Sequence, residues 1–180
     1  MFPILRKNKQ APLTHEEMDS NFELCMFPPF LHIQDQKPQG THGGTFTVGA
    51  WRTRDLNTVL TNTITGASLA ANQITLPAGK YYVEASAPAT YVSGHTASIW
   101  DSTNSIFLLI GTNGRTNHAT NAGDPSLISG IVNLNTETEI ELRHQCNLTR
   151  ANSGFGLANN LTTEVYSDIR IWRIGDYVAP

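Results

Sequence analysis

The strongest constraint on this chain is a period of two. In Lys80-Tyr81-Tyr82-Val83-Glu84-Ala85-Ser86-Ala87, the residues Tyr81, Val83, Ala85 and Ala87 share one parity, and Lys80, Tyr82, Glu84 and Ser86 share the other. Successive side chains of a strand point to opposite faces, so one greasier parity marks a half-buried strand. Ile74-Thr75-Leu76 reads as a strand leading into it through Pro77-Ala78-Gly79, a tight corner in which Pro77 pre-sets a turn φ. The same grammar runs from residue 30 onward. Phe30-Leu31-His32-Ile33-Gln34 is a first strand, residues 36–44 are a turn-rich connection, and residues 45–53, 57–65 and 68–76 read as strands. So do residues 80–88, 96–102, 105–110, 126–134, 139–146 and 163–174. About eight to ten short strands joined by turns predict an all-β fold, an antiparallel jelly-roll sandwich. Parallel α/β is excluded for want of crossover helices.

Two of these strands are apolar on both parities. Ile106-Phe107-Leu108-Leu109-Ile110 is one, and the last strand sets Val165, Ile169 and Ile171 against Tyr166, Trp172 and Ile174. A strand of that kind needs cover on both faces, so copies of the chain are expected to associate. Two polar excursions interrupt the sheet pattern. Residues 111–124 hold Asn113-Gly114, a favoured hairpin tip, and residues 147–161 hold Gly154-Phe155-Gly156.

The N-terminal part differs from the rest. Residues 1–12 read as extended, with Pro3 and Pro12 resisting helix and Arg6, Lys7 and Lys9 gathering positive charge. The charges follow the apolar residues, the reverse of a secretory signal, so no export signal is expected. Residues 13–24 predict the chain's one convincing helix. Thr14 with Glu17 makes a capping box that Leu13 can staple onto Met18. Met18, Phe22 and Cys25 form a narrow apolar stripe that needs a surface to cover it. Pro28 and Pro29 stop the helix. The chain therefore divides into an arm (residues 1–29) and a head (residues 30–180).

Composition narrows the function. The formal net charge is −3 and only 15% of residues are charged, which argues against a nucleic-acid binder. No apolar run is long enough to insert in a bilayer. Cys25 and Cys146 lack partners at metal spacing and read as reduced thiols of a product assembled inside a cell. None of the six histidines pairs with a second ligand at metal spacing, and His144 shares a face with Ile140 and Leu142 as a core histidine. Glu139 and Glu141 share a strand face with Arg143, which neutralises them, and Asp124 and Asp176 stand in loops without an acidic partner. No nucleophile elbow or phosphate-gripping loop is present. The expectation is a protein without catalysis, cofactor or metal. In Trp51-Arg52-Thr53-Arg54-Asp55, Arg52 or Arg54 is expected to pair with Asp55 or Glu84 and fix strand register or a subunit seam. Asn147-Leu148-Thr149 and Asn160-Leu161-Thr162 fit the glycosylation pattern by chance, in a chain rich in Asn and Thr. Contact with a partner is expected from loops that mix rings with amides and hydroxyls, as sugar binding uses. The residues concerned are Tyr91 and His95, then Asn113, Arg115, Asn117 and His118, then Phe155.

Two stretches carry a resemblance. Leu13, Thr14, Glu17, Asp19, Asn21 and Phe22 meet a Leu-Thr-x-x-Glu-x-Asp-x-Asn-Phe pattern, which resembles an element near the N-terminus of tail-fibre and related virion proteins of tailed bacteriophages. Leu76-Pro77-Ala78-Gly79-Lys80-Tyr81-Tyr82, Glu141-Leu142-Arg143-His144-Gln145-Cys146 and residues 166–172 look like the jelly-roll heads of phage fibres. They are similar to the tumour necrosis factor and complement globular-head superfamily. The resemblance implies a homotrimer with one sheet of each copy turned to a threefold axis, which offers a home for Ile106, Leu108, Ile110, Tyr166 and Trp172. It also implies that Leu13, Thr14, Glu17, Met18, Asp19, Asn21 and Phe22 anchor the chain to other virion proteins. The expected protein is thus a structural component of the phage particle, assembled in the bacterial cytoplasm, that binds a host cell-surface glycan or protein. A capsid spike or decoration protein without a receptor, and a polysaccharide depolymerase at a subunit seam, are the alternatives.

Overall fold

The parity of the sequence becomes burial, strand by strand. The computed structural model describes residue 4 and residues 6–116 and 123–177, without the side chains of residues 7, 8, 24 and 25. A helical turn, α1 (Arg6–Lys9), and a helix, α2 (His15–Met26), come first. The strands are β1 (Phe30–Lys37), β2 (Arg52–Thr53), β3 (Thr58–Asn62), β4 (Ser68–Ala70), β5 (Gln73–Leu76) and β6 (Gly79–Ala87). They continue as β7 (Gly94–Asp101), β8 (Ile106–Ile110), β9 (Gly114–Arg115), β10 (Ser126–Leu134), β11 (Thr138–Cys146) and β12 (Glu164–Gly175). In β6 buried and half-buried residues alternate along the whole strand.

Two antiparallel sheets result. One has the order β10-β6-β12-β1-β3, and the other β4-β5-β11-β7-β8, with β2 against β11 and β9 against β7. This is a jelly-roll sandwich. The Pro77–Ala78 corner carries the chain from one sheet to the other, pinned by the Tyr81 hydroxyl donating to the Pro77 carbonyl at 2.7 Å. Ile33, Val83, Ile99, Ile140, Leu142 and Ile169 have no exposed surface between the layers. Each buried side chain of this size stabilises the fold by about 1.5–3 kcal/mol.

Three expectations are corrected. Residues 45–53 do not form a strand, although Phe46, Val48 and Ala50 share a parity. Phe46 is buried and exchanges two 2.9 Å backbone bonds with Arg150, but Val48 and Ala50 are exposed and only β2 pairs with a sheet. Phe46 belongs instead to a small second core with Ala89, Val92 and Cys146. Asn113-Gly114 is not a hairpin tip, because Gly114 already pairs with His95. β8 is an edge strand whose Leu108 and Leu109 pack on the core and whose Ile106, Phe107 and Ile110 are exposed. The arm is not extended throughout, since Arg6–Lys9 makes a turn of helix that ends at Gln10 with φ 56°.

Helix α2 has its predicted capping box. Glu17 N–H donates to Thr14 Oγ1 at 3.1 Å and Thr14 N–H to Glu17 Oε2 at 2.8 Å. The side chain of Asn21 clasps the arm: it accepts from Ile4 N–H at 2.6 Å and donates to the Ile4 carbonyl at 2.8 Å. Lys9 Nζ meets Glu17 Oε2 at 2.5 Å. Polar residues of the Leu13–Phe22 pattern thus order the arm itself, while Met18 and Phe22 remain exposed, Phe22 by 70%. The Cys25 side chain lies outside the described set. The Pro29 carbonyl, which accepts from Arg173 N–H at 2.8 Å, fastens the end of the arm to β12. No helix among the described residues is long and apolar enough to cross a membrane.

Candidate functional site

At the start of β7 the sheet register gathers polar side chains from four segments. Gln145 of β11 stands opposite Thr96 of β7, and Gly94 opposite Arg115 of β9. Thr96 and Gln145 carry the outward parity of their strands. Asn147 follows β11, held by its N–H donating to the Gly94 carbonyl at 2.9 Å, and Asn113 precedes β9 with its Oδ1 accepting from Thr96 Oγ1 at 2.8 Å. Together with Trp51, just before β2, these residues line a groove of about 530 Å³. The Trp51 ring lies 5.1 Å from Phe107, which meets Trp100 edge-on at 4.7 Å. Arg143 stacks 4.4 Å over Trp100.

Two glycines are required by close approach. A Cβ on Gly114 would lie 2.3 Å from His95 Cε1 and 2.6 Å from the Asp124 carbonyl oxygen, and one on Gly94 2.7 Å from Asn147 Nδ2. Only a bare backbone lets β9 lie this close to β7.

Beneath the groove runs a buried polar chain. Arg54 is 1% exposed. It donates to Ser167 Oγ at 2.9 Å and to the carbonyls of Pro88, Phe155 and Tyr166 at 3.2, 3.1 and 2.7 Å, and it stacks 4.3 Å from the centre of the Phe155 ring. Its Nη1 also faces His144 Nδ1 at 3.5 Å, and His144 Nε2 lies 2.9 Å from His95 Nδ1. The order of protons follows. A guanidinium can only donate, so His144 Nδ1 accepts, His144 Nε2 carries the hydrogen, and His95 Nδ1 accepts it. Both imidazoles are neutral. Burial is the main cause that lowers both pKa values and the Arg54 charge lowers them further, while a backbone hydrogen bond to Asp124 offsets part of the shift at His95. Burial likewise brings Arg54 down to about 10. Arg54 thus makes neither of the ion pairs expected for it, because it lies in the interior while Asp55 pairs at the surface with Lys37 at 2.8 Å. This chain ties together β7, β11, β12 and the loop holding Phe155, so it sets the floor on which the groove rests.

Of the loop residues singled out in the sequence, His95, Asn113 and Arg115 meet in this groove. Tyr91 lies instead under the Arg150 guanidinium, at 4.5 Å. Phe155 is packed on Phe46 at 4.3 Å and on Arg54. Asn117 and His118 lie outside the described residues. Trp51, Thr96, Gln145 and Asn147 were missed as site residues. The dense Trp51–Asp55 stretch and the outward parity of Gln145 were the available signals.

Tyr166 and Leu108 turn inward: Tyr166 is 4% exposed and its hydroxyl donates to the Thr41 carbonyl at 2.7 Å. Of the residues expected at a subunit contact, Ile106, Ile110 and Trp172 offer surface. The Glu141 carboxylate accepts from Arg143, Thr53 and Gln73 at 2.8, 2.7 and 2.9 Å. Burial raises its pKa, but these hydrogen bonds outweigh that and hold it below the usual value. Among the described residues no group of three or more His, Cys, Asp or Glu is placed to hold a metal.

No family model and no curated protein matches the chain. Among solved structures it is similar to murine APRIL at pH 8.0, with 12% identity, 81% of this chain and 99% of that chain covered, and a TM-score of 0.48. It is also similar to the globular domain of zebrafish complement 1qA protein, with 10% identity, coverage of 83% and 99%, and a TM-score of 0.47. These are likenesses of shape at low identity, and the functional reading stands on the groove and the sheet surfaces.

Proposed function

We propose that the chain is a tail-fibre-like structural protein of a tailed-phage virion, a homotrimer fastened by its arm and binding a host-surface glycan without chemistry. The observation that carries the reading is the groove, where an indole, three amides, a hydroxyl and a guanidinium converge. Sugars are held by that set, with the ring stacking on the apolar face of a pyranose and the polar groups meeting its hydroxyls. The phage assignment rests on the Leu13–Phe22 pattern, within which Met18 and Phe22 expose apolar side chains.

Self-association is supported by the outer face of the β10-β6-β12-β1-β3 sheet. Ile131, Tyr82, Trp172 and Phe30 stand side by side across four strands, with Trp172 4.9 Å from Phe30 and 5.8 Å from Tyr82. Beside this belt Asp168 is already satisfied by His32, Gln34 and Arg170 at 2.8, 2.5 and 3.0 Å. Asp168 can therefore be covered without being stranded, and Glu84 on the same face accepts from the Tyr82 hydroxyl at 3.1 Å. The exposed edge of Ile106, Ile110 and Leu127 is the complementary apolar surface. An edge that meets a face is a heterologous contact, which closes into a ring when the rotation allows. Ile110 also borders the groove, so each groove would sit next to a seam. Presentation in threes adds avidity to a weak site.

The test is adsorption. The purified full-length chain should bind susceptible cells and not resistant ones, and Trp51→Ala should lose that binding while keeping its circular dichroism spectrum. Equal binding by the folded variant would remove the groove from the recognition site.

A further inference from the structure

The charge of the groove narrows its ligand. The chain as a whole is acidic, with 15 Asp and Glu against 12 Lys and Arg. The groove departs from that balance. Among the described residues its only charged lining residue is Arg115, and no described carboxylate lines it. Asp124 comes nearest through the backbone, its N–H donating to the Arg115 carbonyl at 3.1 Å, but it is not part of the lining. Arg115 is exposed and makes no ion pair with a described carboxylate, and residues 117–122 contain no Asp or Glu. Other arginines near this end are occupied: Arg54 by carbonyls, Arg143 by Glu141, and Arg150 by Tyr91 and Ser153.

The polar groups beside Arg115 also favour an anion. The side-chain Oδ1 of Asn113 accepts from Thr96, which leaves the N–H groups of that amide as its remaining polar groups, both donors. Asn147 presents Nδ2 above Gly94. Guanidinium and amide donors around one space, with Trp51 as a platform, match an oxyanion carried on a sugar ring.

We propose that the groove takes an acidic saccharide, its carboxylate or phosphate on Arg115 and the adjoining ring against Trp51. This rests on the carbohydrate reading above. A charge-assisted contact at an open groove of this kind is worth about tenfold in affinity at low salt and less as salt rises.

The experiment titrates the full-length chain, followed by calorimetry, with paired probes. Uronate oligosaccharides are compared with their carboxyl-reduced forms, and phosphorylated oligosaccharides with the dephosphorylated ones. The acid form of at least one pair should bind about tenfold more tightly than its neutral form, the gap closing as salt rises. Arg115→Gln should erase the gap between the acid and neutral forms, while Trp51→Ala should weaken both forms and keep the gap. Equal affinity for acid and neutral forms, or a gap that survives Arg115→Gln, overturns the acidic ligand and leaves the saccharide reading in place. Failure of every probe to bind overturns both. The pair that shows the gap separates a uronate from a phosphorylated ligand.

Discussion

Acid should loosen the loop end of the head. His144 is sealed between Arg54 and His95, and its single hydrogen, on Nε2, points at His95 Nδ1 across 2.9 Å. A second proton on either ring would set N–H against N–H, or His144 Nδ1–H against the guanidinium. The charged groups facing the pair are Arg54 itself, Asp35 and Asp55 beyond Arg54, and Asp124 beside His95. The sign follows from the depressed folded pKa of both imidazoles. Their stabilisation is complete above the unfolded histidine pKa of about 6.5 and is lost as pH falls below it. At pH 5, about 1.5 units lower, exclusion of one proton by His144 costs about 2 kcal/mol, and His95 adds to that. Against a total stability of about 5–15 kcal/mol this is a large loss. Urea denaturation at pH 7.5, 6.5, 5.5 and 5.0 measures it, with amide exchange at Val92 and Ser93, which donate to Thr116 Oγ1, reporting the loop end. The His144→Phe variant, placed among Phe46 and Phe155, should flatten the pH slope even if its stability at pH 7.5 is lower. Equal urea midpoints at pH 7.5 and 5.0 in the unmodified chain would refute the neutral imidazole pair.

Four further variants have expected outcomes. Arg54→Leu strands the carbonyls of Pro88, Phe155 and Tyr166, and should cost about 3–5 kcal/mol in urea denaturation, among the largest losses for any single residue. Gly114→Ala drives a methyl into His95 and the Asp124 carbonyl, and should cost about 1–3 kcal/mol together with the binding of any groove ligand. Asn21→Ala releases Ile4, so proteolysis within residues 4–12 should speed up while the melting temperature of the head stays unchanged; Phe22→Ala should leave both unchanged and lose incorporation into particles.

The sheets were legible because their face pattern is local. β6, β10 and β11 follow parity within a residue, and Thr14 with Glu17 gave the start of α2. Residues 45–53 misled because alternation reports a preference for two environments, not the presence of a neighbouring strand. Phe46 found a second core, and Val48 found none. The groove was half legible. His95, Asn113 and Arg115 announced themselves by residue type, but Trp51, Gln145 and Asn147 join them only through pairing across β2, β7, β9 and β11, which sequence distance hides. Arg54 was misread for the same reason: its partners lie 34 to 113 residues away and are backbone carbonyls and a serine, which leave no charge pattern to detect.

The account depends most on the outer face of the β10-β6-β12-β1-β3 sheet being covered by copies of the chain. Sedimentation equilibrium of the purified full-length protein at neutral pH and micromolar concentration tests this directly. A mass of three chains that falls to one in Trp172→Asp is the predicted result. A single-chain mass for the unmodified protein would contradict it.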